Sequence, residues 1–161
     1  MRMELIQPFI NAADAVLSET LSSPTRVTDM TMEPQAYNRH GAAALIEFSG
    51  DIEGRIIFDS EPATALKVAE RISGGPVEAS DDLVCETVCE LANLVIGNAI
   101  TVLNDQGFHF KVHPPVVHSD ARGFQGTEDV EALVMCFDTS AGRVNMNIAM
   151  RYNRRRHREN S

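Results

Sequence analysis

Residues 81–104 read Asp-Asp-Leu-Val-Cys-Glu-Thr-Val-Cys-Glu-Leu-Ala-Asn-Leu-Val-Ile-Gly-Asn-Ala-Ile-Thr-Val-Leu-Asn, and the rest of the architecture can be built outward from them. Val84, Val88, Leu91, Ala92, Val95, Ala99 and Val102 recur at helical spacing, so the stretch is expected to be one long helix with a buried side. Ser80-Asp81-Asp82 supplies a capping hydroxyl and acids that complement the positive end of the helix dipole. On the other side, Glu86, Glu90, Asn93 and Gly97 are spaced i, i+4, i+7 and i+11. At roughly 100° per residue they share a stripe about 60° wide. A glycine inside a helix costs about 1 kcal/mol relative to alanine. Placed on the exposed stripe beside Asn93, Gly97 clears room for something to come close to the backbone.

The same helix points to a duplication. Asn98-Ala99 followed by Val102-Leu103 echoes Asn11-Ala12 followed by Val16-Leu17, at an offset of 98 − 11 = 87. Ala132-Leu133-Val134 with Gly142-Arg143-Val144 echoes Ala44-Leu45-Ile46 with Gly54-Arg55-Ile56, at 132 − 44 = 88. Two blocks at nearly one offset imply a repeated unit of one helix followed by three strands.

The remaining elements fit that unit. Leu5, Ile6, Phe9, Ala13, Val16 and Leu17 predict a helix from Met3 to the Ser22-Ser23-Pro24 break, with Pro8 in its first turn. Val27 to Met32 reads as a strand, with a polar turn at Pro34 to Gly41. Ala43 to Phe48 and Arg55 to Phe58 form an antiparallel pair across Ser49 to Gly54. A short helix, Ala63 to Ile72, sits between the copies and stops at Gly74-Gly75-Pro76. A Pro-interrupted extended segment, Phe110 to His118, is followed by a polar loop around Arg122 to Asp129. Strands at Ala132 to Phe137 and Val144 to Arg151 finish the order. Neither unit could bury its apolar side alone. The expected fold is α+β and pseudo-two-fold, a shared antiparallel sheet packed against two long helices, with the strand order left open.

Composition bounds the function. The 161 residues carry 14 basic and 23 acidic groups, and residues 1–150 alone hold 9 basic and 22 acidic, or −13. Such a body repels nucleic acid phosphates. Residues 1–150 read as one domain, and 151–161, with Arg151, Arg154, Arg155, Arg156 and Arg158, as a basic, partly disordered tail. Three cysteines without a CxxC pair fit a reducing cytoplasm, and no apolar run was expected to reach the roughly 20 residues of a membrane span.

Glu90-Leu-Ala-Asn93, inside Glu86 to Ala99 and with Pro114-Pro115 downstream, resembles the signature of the CheC/CheX/FliY phosphatases of bacterial chemotaxis. The opening Glu4-Leu-Ile-Gln-Pro8-Phe9-Ile-Asn-Ala12 is similar to CheX in particular, and the resemblance covers nearly the whole chain up to the Arg tail. It implies a CheC-like fold and hydrolysis of the aspartyl phosphate on a CheY-type response regulator. Asn93 would orient the attacking water, and Glu90 would pair with a lysine of the regulator. It also implies no cofactor of the chain's own, Mg²⁺ supplied by the regulator, and a cytoplasmic homodimer. Glu86 stands where the family commonly has Asp or Ser, and reads as a docking residue with Gly97. Subtracting 87 maps Glu90 to Met3 and Asn93 to Ile6, so one site per chain is expected.

Blander readings stand beside these. Taken without the family, Glu90 and Asn93 fit solvated helix surface, and the acidic face could equally serve a non-catalytic module that docks on a response regulator. Cys85 and Cys89 read as small packed residues, since structural zinc needs four ligands. Cys136 reads as a packed strand residue. His113 and His118 read as loop or edge-strand histidines, and Gly50 and Gly54 as a hairpin turn. No metal site, nucleic acid partner or membrane contact is expected.

Overall fold

Leu5, Ile6, Phe9, Ile10, Ala13, Val16, Leu17 and Leu21 are all buried, so helix α1 (Met3–Leu21) commits one whole side to the core. Pro8 lies inside α1, beyond the first turn. The chain continues through strands β1 (Arg26–Glu33), β2 (Ala42–Gly50) and β3 (Ile52–Ser60). Helices α2 (Pro62–Ser73) and α3 (Asp81–Asp105) follow, then β4 (Phe110–Val112), β5 (Val116–His118), β6 (Ala132–Thr139) and β7 (Gly142–Tyr152). The structure, a computed structural model, describes residues 3–33, 42–118 and 132–152. The polar turn at Pro34 to Gly41, the loop around Arg122 to Asp129 and residues 153–161 lie outside the described residues. Arg151 belongs to β7, where its Nε donates to Glu53 Oε1 at 2.7 Å.

All seven strands form one sheet in the order β1-β6-β7-β3-β2, with β4 and β5 end to end along the outer side of β2. Every pairing is antiparallel. Alternation puts Ala44, Ile46 and Phe48 of β2, Ile56 and Phe58 of β3, Met135 and Phe137 of β6, and Val144, Met146 and Ile148 of β7 on one face. Helices α1 and α3 pack on that face and against each other, so sheet and helices share one core. The expected α+β architecture holds, with α2 as an additional helix packed chiefly on α3. Gly74 ends α2 in the left-handed conformation, φ 80°, its N–H bonded to Glu70 O at 3.0 Å.

The pseudo-two-fold is visible in the strand order, which reads the same from either edge if β1 corresponds to β4 plus β5, β2 to β6, and β3 to β7. At the centre Phe58 pairs with Met146, 146 − 58 = 88 positions on, so the Gly54-Arg55-Ile56 and Gly142-Arg143-Val144 echo is structural. The outer echo is not. Ala44 faces the helices while Ala132 lies on the opposite parity to Leu133, Met135 and Phe137. Ala44-Leu45-Ile46 therefore corresponds to Met135-Cys136-Phe137, three residues later. The cause is hairpin length: Ile46 pairs with Ile56, whereas Phe137 pairs with Val144, a loop shorter by three residues.

The helical echo also needs correcting. Asn11 and Asn98 are both exposed and Ala12 and Ala99 both buried, but Val16 to Val102 is 102 − 16 = 86, and Val16 is buried whereas Val102 is 43% exposed. Ile96 and Leu103 take the buried places that Val102 was expected to share. At 25 residues α3 is also long enough and apolar enough to cross a membrane by length and composition, contrary to expectation. Its buried residues form a single stripe packed on the sheet and α1, which is the pattern of a core helix.

Candidate functional site

The site is built on α3, whose start is held in place by Ser80. Its side-chain oxygen accepts from Leu83 N–H at 3.1 Å, and Asp81 and Asp82 occupy the first turn. Val84, Val88, Leu91, Ala92, Val95, Ile96 and Ala99 anchor the helix in the core, which fixes its rotation. That rotation leaves Glu86, Glu90, Asn93 and Gly97 exposed, as expected from the spacing. Among the described residues, no hydrogen bond or ion pair engages the side chain of Glu90 or Asn93.

Gly97 lies one turn beyond Asn93, and a Cβ built there would meet nothing within 4 Å. Internal packing therefore does not call for glycine at this position. Gly54 is the contrast, since a Cβ there would collide with the Ala149 carbonyl oxygen of β7. The Gly97 carbonyl also accepts from Thr101 Oγ1 at 2.9 Å, so that hydroxyl is taken up within the helix. The result is a helical surface carrying a carboxylate, a primary amide with both donor and acceptor capacity, and open space beside the amide.

The other predicted residues fall elsewhere. Cys85 and Cys89 are half-exposed, and Cys85 packs on the core. Burial pushes both thiols up, helped at Cys85 by Asp81, Asp82 and Glu86 and at Cys89 by Cys85. They are protonated at neutral pH and poor nucleophiles. Cys136 faces away from the helices and its Sγ lies 2.7 Å from Asn145 Oδ1. His113 sits at the break between β4 and β5, donating its backbone N–H to Glu47 O at 2.9 Å. His118 pairs in register with Ala43 on β5, so both histidines belong to the sheet edge. Gly50 ends β2 at the hairpin, where Asp51 Oδ2 accepts from His109 N–H at 2.8 Å, whereas Gly54, expected in the turn, lies within β3 between Phe48 and Met150. A groove of about 560 Å³ lined in part by Leu21, Lys67, Arg71, Ser140 and Ala141 contains none of the predicted site residues.

A further exposed residue of α3 lies outside the expected stripe. Leu94, 46% exposed, follows Asn93 and lies one turn from Glu90. Its angular position, about 40° from Glu90, was available from the same periodicity.

Residues 42–138 match the family of the chemotaxis phosphatase CheX. The chain belongs to the CheX family. The family's activity is that of a protein aspartyl-phosphate phosphatase, here on the CheC-like fold. The CheY-P phosphatase CheX of Thermotoga maritima is 29% identical over 115 residues, covering 68% of this chain and 74% of the relative. A CheC-like superfamily protein from Shewanella sp. PV-4 superposes with a TM-score of 0.82 at 23% identity, over 94% of this chain and 99% of that one. The CheX in a CheX–CheY–BeF3–Mg complex from Borrelia burgdorferi superposes with a TM-score of 0.73 at 28% identity, over 93% and 99% of the two chains. The CheX match begins at β2 and extends through α3, so the Glu90–Asn93 face lies within it.

Proposed function

We propose that this chain hydrolyses the aspartyl phosphate of a phosphorylated CheY-type response regulator, using the exposed face of α3. The observation that carries the reading is Asn93 standing unengaged beside the open position at Gly97. Hydrolysis of an acyl phosphate needs a water in line with the bond to the aspartyl oxygen more than it needs a covalent partner. The Asn93 carboxamide accepts a hydrogen from that water and donates to a phosphoryl oxygen, and it stays uncharged beside an anion. Water oxygen bonds to phosphorus, the phosphorus–aspartyl oxygen bond breaks, and the products are inorganic phosphate and the free carboxylate.

Glu90, one helical turn from Asn93, pairs with a basic side chain of the regulator and fixes the angle of approach. Glu86 extends the same charged row by one turn, and Gly97 lets the regulator's backbone come close. The Mg²⁺ sits on the regulator side of the complex, where it neutralises the phosphoryl group. The protein works in the cytoplasm as a homodimer, its exposed sheet edges being the natural pairing surfaces.

The test is the decay of labelled phosphate from a CheY-type regulator of the same organism in Mg²⁺, with wild type and with Asn93→Ala. Accelerated decay that vanishes in the variant, while the variant still binds, is the expected result. Binding without acceleration by wild type across several regulators would leave a docking module. Sedimentation of the free protein checks the dimer.

A further inference from the structure

The outward side of α3 is made of two adjacent rows, each advancing four residues at a step, which is how side chains on a helix surface align. One row runs Cys89, Asn93, Gly97 and Thr101, and contains the amide. The other runs Glu86, Glu90, Leu94, Asn98 and Val102, and contains the acids. The second row changes character along its length. Its first two members are carboxylates, and Leu94 and Val102 further on are 46% and 43% exposed. These two are the exposed large apolar residues of α3; its others, apart from the half-buried Leu83, lie in the core or pack against it.

We propose that Leu94 is the apolar anchor by which the phosphorylated receiver domain docks on α3, a positioning residue that holds the phosphoryl group over Asn93. This rests on the reading given under Proposed function. Leu94 is next to Asn93 in sequence, one turn from Glu90, and three residues before the open position at Gly97. Around the helix Leu94 stands about 40° from Glu90, on the side away from Asn93, so a partner seated over Glu90 has Asn93 on one side and Leu94 on the other. The occupant is therefore a receiver surface on which a basic side chain stands next to an apolar recess. The basic group lies toward the N-terminal end of α3 and the recess toward Gly97. Covering the exposed leucine in an interface takes its apolar area out of water, which contributes directly to binding.

The experiment compares wild type, Leu94→Ala, Leu94→Met and Ile72→Ala. Ile72 on α2 is a control of similar exposure, at 43%. KM and kcat for the phosphorylated regulator are measured, with Kd for its beryllofluoride form and sedimentation of the free protein. Leu94→Ala should raise KM and Kd about tenfold with kcat at saturation unchanged. Leu94→Met should restore both, and Ile72→Ala should change neither. Unaltered KM and Kd in Leu94→Ala, or an equal rise in Ile72→Ala, would overturn the anchor. A change in sedimentation without a change in Kd would make this face a contact between copies and would also overturn it. Absence of hydrolysis in wild type, with Kd still weakened tenfold by Leu94→Ala, would remove the phosphatase reading and leave the anchor.

Discussion

Helices α1 and α3 open the two halves of a pseudo-symmetric fold, and each buries one side in the same core, yet their outward faces differ in a few atoms. On α3 the spacing Glu90, Asn93, Gly97 leaves the amide unengaged and the next turn open. On α1 the exposed residues Glu4, Gln7 and Asn11 follow the same spacing. There, Gln7 Nε2 donates to Asn11 Oδ1 at 2.8 Å, so an intrahelical bond takes up the amide where α3 has only hydrogen at Cα. The core dictates the inward side of both helices, because every lost apolar contact there is costly. No such demand acts on the outward side, so the two copies are free to diverge where a partner would touch them.

The sharpest break in this comparison is Asn93→Ala, which should lower turnover of the phosphorylated regulator by on the order of 100-fold or more, since positioning of the water is lost. Binding should persist, and single-turnover phosphate release against a binding isotherm reads the two separately. Glu90→Gln comes next. Removing the charge but keeping the shape should cost roughly tenfold in kcat/KM and flatten its dependence on salt, which assays at several ionic strengths will show.

Gly97→Ala sharpens the contrast because stability and activity should move in opposite directions. A Cβ there meets nothing within 4 Å among the described residues, so the helix should gain about 1 kcal/mol and Tm rise by about 2–4 °C. Regulator turnover should fall severalfold as the approach to the backbone narrows, and calorimetry beside the phosphatase assay tests both halves of the statement. The smallest effect belongs to α1: Gln7→Ala should leave turnover within about twofold of wild type, since it breaks only an exposed side-chain bond worth about 1 kcal/mol or less. A large loss in that variant would mean the two helix faces are functionally alike.

Much of this molecule could be read from the chain. The elements followed from apolar periodicity, from Ser80 as a cap, and from Gly74 as a stop, all of which act within one or two helical turns. The exposed stripe of Glu86, Glu90, Asn93 and Gly97 followed from angle alone. The one-site expectation rested on an offset of 87, which puts Ile6 opposite Asn93; Ile6 is fully buried, so that mapping compares a core position with a surface one. The shorter hairpin between β6 and β7 likewise shifts β2 against β6 by three residues, which matching short words cannot detect. Val102 was assigned inward because valine at that spacing suits a core, while the structure fills the place with Leu103.

The sequence by itself determined what each segment becomes, where the duplication lies, and which residues of α3 share its outward face, because these depend on local geometry repeated every few residues. Only the tertiary structure decided the order β1-β6-β7-β3-β2, the register that sets Phe58 against Met146, and two features of the outward face of α3. Those are the empty space at Gly97 and the exposure of Leu94. Each depends on what lies across the fold from a residue, and that is settled by packing between segments distant in the chain.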